Sequence, residues 1–177
     1  MIRPLYFHNP NQEGFEAIIK HLHSKNYKFI SIEELYSRLE KNDTKGKLAY
    51  ISFDDGWQGN LKLIPIIEKY NVHITIFIAV NPIMSGNFWW EFVAKKVGYT
   101  QMQNFKNLPH DEFESQLKKI KTEVADLQRS AMTIDELETI TKHPLISIQS
   151  HTINHPILTK LPDDLLDFEL SESQKQL

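Results

Sequence analysis

Two short segments hold residue types that could do chemistry together. Ser52-Phe53-Asp54-Asp55-Gly56 sets adjacent carboxylates after an apolar run. His151-Thr152-Ile153-Asn154-His155-Pro156 sets two imidazoles four residues apart, again after an apolar run. One carboxylate and two imidazoles suit a divalent ion of the zinc type, and a second carboxylate is left for proton transfer. That combination points to metal-assisted hydrolysis. Each segment also has a plainer reading. Asp-Asp-Gly after a strand makes a turn in which Gly supplies positive φ and Asp caps backbone N–H groups. A histidine pair at i, i+4 arises by chance in a chain with eight histidines. The conjunction of both, each at the end of a strand, favours the chemical reading.

The elements that must position these segments alternate. Ile2 to Phe7 reads as a strand, and Phe15, Ile18, Ile19 and Leu22 fall on one helical face. Lys28 to Ile30 is a short strand, and Ser31-Ile32-Glu33-Glu34 is a capping box that opens a helix over about 32–40. Leu48 to Phe53 is a buried strand delivering Asp54 and Asp55. Pro65 starts a helix with Ile66, Ile67 and Tyr70, and Val72 to Val80 is the most strand-like run. Residues 81–131 break the rhythm: after Phe88-Trp89-Trp90 the pattern predicts two helices, the second carrying Phe113, Leu117, Ile120, Val124 and Leu127. Thr133 to Glu136 is another capping box, for a helix to about Lys142, and Leu145 to Ser150 is a strand ending at His151. A last helix over 163–177 is expected to align Leu166, Leu170 and Leu177 on one side. Strand and helix in alternation imply a parallel sheet or barrel, where chemistry gathers beyond the carboxyl ends of the strands.

Composition narrows the class. The 177 residues are 41% hydrophobic and 24% charged, as in a globular protein with one domain's worth of core. A net charge of −3 gives no basic footprint for nucleic acid. No segment approaches the roughly 18 apolar residues of a membrane span. The N-terminus has no signal-peptide pattern, so the chain as written reads as cytoplasmic. The absence of cysteine excludes disulfides and thiolate metal sites.

The two motifs together resemble those of the polysaccharide deacetylases, the NodB-homology carbohydrate esterases of family 4. Thr-Phe-Asp-Asp-Gly of that family stands here as Ser52 to Gly56, and its His-[Ser/Thr]-x-x-His-[Pro/Ser] stands as His151 to Pro156. Flanking segments resemble the family too, among them Ile30 to Leu35, Thr75 to Ile78 and Met132 to Leu137. The resemblance implies an α/β fold, a distorted (β/α) barrel, with residues 1–177 as a single partial domain carrying a helical insertion at about 82–131. It implies a divalent metal cofactor, zinc first, with cobalt, nickel or iron as alternatives. By match to the motifs, Asp55, His151 and His155 would be the metal ligands and Asp54 the general base. The substrate would be a carbohydrate polymer such as an N-acetylglucosamine glycan, losing N- or O-acetyl groups. Family members are often exported or held at the cell surface. A related amidase acting on a small or cyclic amide, and an inactive glycan- or metal-binding relative, are the alternatives.

The chain departs from the family after the second motif. Segments resembling Arg-x-Pro-Tyr, Asp-x-x-Asp-Trp and Leu-x-His, the last holding the family's general acid, have no match. The expectation is therefore a barrel incomplete on its C-terminal side, with an unpaired edge through which copies could self-associate. No general acid is assigned: His8 follows the first strand but reads as a surface or structural residue, and His21, His23 and His110 read as solvated. Trp89 and Trp90 could offer a sugar-stacking face, but neighbours on a helix point about 100° apart, so at most one would, and core packing is the plainer reading.

Overall fold

A computed structural model describes residues 1–177. The chain divides into two compact units, residues 1–78 with 134–149, and residues 79–133 with 150–177.

The first unit is built on a parallel sheet. Its strands are β1 (Ile2–Phe7), β2 (Lys28–Phe29), β3 (Leu48–Phe53), β4 (Ile74–Ile78) and β5 (Ile146–Ser150), in the order β1-β3-β4-β5 with β2 also on β3. All six residues of β3 are buried, as the continuous apolar run requires of a strand covered on both faces. β1 pairs along its whole length, from Ile2 opposite Leu48 to Phe7 opposite Phe53. β2 meets only the start of β3, and β4 only its end. The carbonyls of Met1 and Phe7 accept from β3-side N–H groups, so odd residues of β1 face β3. Pro4 therefore points its nitrogen to the other side, where a missing N–H removes no ladder bond.

The helix after Ser31 begins where its capping box signals it, and the structure supplies the start of the helix before it. α1 (Gln12–Ser24) is capped by Asn11, which accepts from the Gly14 N–H, and buries Phe15, Ile19 and Leu22. α2 (Ile32–Glu40) is capped by Ser31 accepting from Glu34. A 3₁₀ turn over Gln58–Leu63 leads into α3 (Ile64–Tyr70), which buries Ile66 and Ile67. Asn71 then adopts a left-handed conformation at φ 50°, a common helix exit. β4 consequently starts at Ile74, later than the apolar run from Val72 suggests.

The second unit is largely helical. α4 (Val80–Ser85), α5 (Trp89–Val97), α6 (Tyr99–Phe105) and α7 (His110–Glu123) occupy the stretch where the pattern predicts two helices. Val80, read from sequence as strand, opens α4 instead, because its N–H donates to the Thr152 carbonyl rather than to a ladder. Gly98 at φ 87° separates α5 from α6. α7 stops at Glu123, leaving Leu127 beyond it, so the helix ends about one turn earlier than expected. Trp89, Val93, Met102, Phe105, Phe113, Leu117 and Ile120 form the core. At about 1.5–3 kcal/mol per large apolar side chain buried, this cluster is the main source of stability for the unit.

α8 (Ile134–Ile140) returns to the first unit before β5. α9 (Asp163–Gln176) ends the second, and here the expected apolar face is wrong. Leu165, Phe168, Leu170 and Leu177 are exposed, while Glu169 and Ser173 are the buried residues. A polar face turns inward because its partner is a loop rich in backbone donors, described next.

Candidate functional site

The carboxylate pair sits on a turn that the strand itself creates. The Asp54 N–H still bonds to the Phe7 carbonyl at 2.8 Å, as the last rung beside β1. Asp55 then takes φ 77° and Gly56 φ 92°, so the reversal starts at the second aspartate and not only at the glycine. Aspartate tolerates this region better than most residues. Just before the turn, the ring of Phe53 packs with those of Phe7 and Phe15, with centroids 5.5–5.6 Å apart. The turn separates two neighbouring carboxylates by environment: Asp55 is 1% exposed and Asp54 only half-buried. Trp57 fixes the buried one, its indole N–H donating to Asp55 Oδ2 at 2.9 Å. Next along the chain, the Gln58 amide donates to a carboxylate oxygen of Glu136 at 2.8 Å.

The histidine pair belongs to the second unit and stands on a loop held from several sides. β5 ends at Ser150, and His151 follows directly. The rings of His151 and His155 lie 4.9 Å apart and tilted, both lining a cavity of about 380 Å³ with Ser150, Thr152, Pro156 and Leu170. Bringing residues i and i+4 together outside a helix requires two left-handed residues, Thr152 at φ 70° and His155 at φ 55°. For β-branched Thr152 this is a true outlier, costing on the order of 1–3 kcal/mol.

The loop's hydrogen bonds offset that strain. Thr152 Oγ1 accepts from the His155 N–H at 3.0 Å. The first N–H groups of α4, which have no partner within the helix, donate outward: Val80 to the Thr152 carbonyl at 3.1 Å and Asn81 to the Ile153 carbonyl at 2.8 Å. The indole N–H of Trp89 donates to the His155 carbonyl at 3.0 Å. Glu169 of α9 accepts from the Ile153 and Asn154 N–H groups at 2.8 and 2.9 Å, and from the Asn154 amide at 2.6 Å. The two tryptophans divide their roles. Trp89 is core, 4% exposed, against Phe105 and Phe113. Trp90 is half-buried, stacked on Phe88 at 4.7 Å, and meets the His155 ring in a T-shaped contact with centroids 4.9 Å apart.

The structure thus pairs Asp54 with Asp55 in the first unit and His151 with His155 in the second. Other histidines lie elsewhere. His8 is exposed and meets the Tyr6 ring edge-on, and His23 packs against Tyr70. Sequence reasoning missed three supporting residues. Trp57 had a signal, an indole two positions after a carboxylate at a turn. Asn81 had one only if Val80 had been recognised as a helix start. Glu169 had none, since its role depends on which loop α9 meets.

Comparison with known proteins agrees with the motifs. The sequence model of the family described as polysaccharide deacetylase matches residues 41–177. The Bacillus subtilis (strain 168) protein YxkH, which carries a polysaccharide deacetylase name, is 24% identical over 168 residues, or 94% of this chain and 44% of that protein. The chain therefore spans less than half the length of this curated relative. Among solved structures, the Streptococcus pyogenes deacetylase PplD in complex with acetate superposes with a TM-score of 0.65 at 19% identity, covering 99% of this chain and 66% of that one. A polysaccharide deacetylase from Bacillus cereus gives 0.62 at 17% identity, covering 99% and 46%. These likenesses establish the fold, a parallel α/β sheet with helices of the deacetylase type. With its family model matched across more than three quarters of its length, the chain belongs to the polysaccharide deacetylase family, the NodB-homology deacetylases.

Proposed function

We propose that this chain carries the metal site of a hydrolase that removes N- or O-acetyl groups from a sugar polymer, with an N-acetylglucosamine glycan as the first substrate to try. Asp55, His151 and His155 would hold one divalent ion, zinc first, and Asp54 would be the general base. The observation that carries the reading is the preformed histidine pair, two imidazoles turned into one cavity by a loop with two left-handed residues. Backbone strain of that kind persists where the surroundings over-determine it, and such sites are commonly functional.

The residues fit the ion by their chemistry. Two imidazoles and one buried carboxylate are borderline-hard donors with zinc preference, and three protein ligands leave a position for water, as catalytic sites require. Trp57 on Asp55 is the outer-shell partner such ligands usually have. When bound, the ion supplies Lewis acidity toward an acyl oxygen and makes water a better nucleophile.

The protein's own groups do the rest. Asp54 has the solvent access that Asp55 lacks, so it can take a proton from an attacking water and release it afterwards. The indole of Trp90 packs against the His155 ring and so restrains its orientation. The protonation of the leaving amine or alcohol has no assigned donor among these residues.

The test is elemental analysis of the purified chain and of His151→Ala, His155→Ala and Asp55→Ala. About one equivalent of metal in the parent and a small fraction of it in each variant is expected. Equal metal content in parent and variants refutes the ligand assignment. Acetate release from N-acetylglucosamine oligomers, set against release from small cyclic amides, decides the substrate class.

A further inference from the structure

α9 turns a buried carboxylate toward the histidine loop, and nothing in the deacetylase chemistry above uses it. Glu169 is 5% exposed, and all three of its hydrogen bonds go to the two residues between the histidines' supports, Ile153 and Asn154. One oxygen, Oε2, accepts both backbone N–H groups, while Oε1 accepts the Asn154 amide. That amide's own oxygen accepts from Asn81, so Asn81, Asn154 and Glu169 form a chain of hydrogen bonds with one polarity. Between Thr152 and His155, both left-handed, Ile153 and Asn154 are the residues whose N–H directions decide where the loop turns.

Resting on the metal reading above, we propose that Glu169 is the positioning residue of the imidazole pair. Its carboxylate clamps the Ile153 and Asn154 N–H groups and so holds the loop in the left-handed form that turns both rings into one cavity. Loss of the clamp lets Thr152 relax toward an ordinary φ, and the peptide rotation swings one ring away from the other. The rest of α9 docks separately, through the hydroxyl of buried Ser173 on that of Ser150 at 2.6 Å. Clamp and dock can therefore be removed one at a time.

The experiment is a Co²⁺ titration of the whole chain, followed by visible d–d absorption, on the parent, Glu169→Ala, Glu169→Gln and Ser173→Ala, with thermal unfolding of each. Glu169→Ala should weaken Co²⁺ binding about 10–100-fold, the range for lost outer-shell partners, and alter the d–d band. Glu169→Gln keeps an oxygen that can accept both N–H groups, so it should recover most of the affinity. Ser173→Ala should lower the melting temperature but leave affinity within about twofold of the parent, since its partner Ser150 is the last residue of β5 and makes no bond to Ile153 or Asn154, the two residues that the clamp holds. Parent-like affinity in Glu169→Ala overturns the proposal. So does an equal loss in Ser173→Ala, which would make Glu169 merely structural. If the parent binds no Co²⁺, the metal reading fails, and the clamp is judged on the metal-free protein instead. There, amide hydrogen exchange at Ile153 and Asn154 must speed up at least tenfold in Glu169→Ala and not in Ser173→Ala, and unchanged exchange overturns it.

Discussion

Replacing Trp57 with Phe removes one hydrogen atom of consequence. The ring still fills most of its space, but the donor at 2.9 Å from Asp55 Oδ2 is gone. Asp55 is 1% exposed, so water does not replace the donor freely. A hydrogen bond to a charged, buried group contributes about 1.5–3 kcal/mol. For a domain of this size, each kcal/mol moves the melting temperature by about 2–4 °C, so a fall of roughly 5 °C is expected in the metal-free protein. Metal affinity gives an independent figure. Removal of an outer-shell partner costs about 10–100-fold, which is about 1.4–2.8 kcal/mol. The two estimates agree because one lost interaction underlies both. Zinc competition titration and calorimetry on the parent, Trp57→Phe, Asp55→Asn and the double variant measure them. In the Asp55→Asn background, where the side-chain oxygen still accepts but carries no charge, the stability effect of Trp57→Phe should shrink to about 0.5–1.5 kcal/mol, the sign of a direct pair. A Trp57→Phe protein with unchanged melting temperature and zinc affinity would refute the reasoning.

Further expectations follow from other groups. Asp54→Asn should keep bound metal and lose at least about 100-fold in acetate release by the active enzyme, the usual contribution of a general base, whereas near-parent turnover would move that role elsewhere. Trp89→Ala should destabilise by about 3–5 kcal/mol in urea titration, since it opens the helical core and frees the His155 carbonyl; Trp90→Ala, half-buried, should cost distinctly less. The Lys69 ammonium, with the Tyr70 hydroxyl, holds the Glu16 carboxyl at about 2, below its ordinary 4.5. Because the folded value is the lower one, its stabilisation is present above pH 4.5 and fades as the pH falls toward 2. The melting-temperature gap between parent and Glu16→Gln should close across that window, and a gap constant from pH 7 to 2 would contradict it.

The sequence by itself determined the elements and the chemical vocabulary. Periodic burial writes itself into residue order, so α2, β1 and β3 were legible almost to the residue, and α1 by its apolar face: Ser31 marks its helix locally, and Leu48 to Phe53 read as a buried strand. Asp54, Asp55, His151 and His155 were legible as types at strand ends. Tertiary structure decided what each would do. Val72 to Val80 looked uniformly like strand, yet Val80 starts a helix because the Thr152 carbonyl, far away in sequence, accepts its N–H. Adjacent aspartates acquired different exposures because the chain already turns left-handed at Asp55, not at Gly56 alone. α9 was read by its leucines, but burial chose Glu169 and Ser173, because a loop with unsatisfied N–H groups stabilises a buried acceptor more than an apolar side chain. Local pattern records how often a residue is covered. Only the fold specifies by what, and a buried polar group has its meaning in that partner.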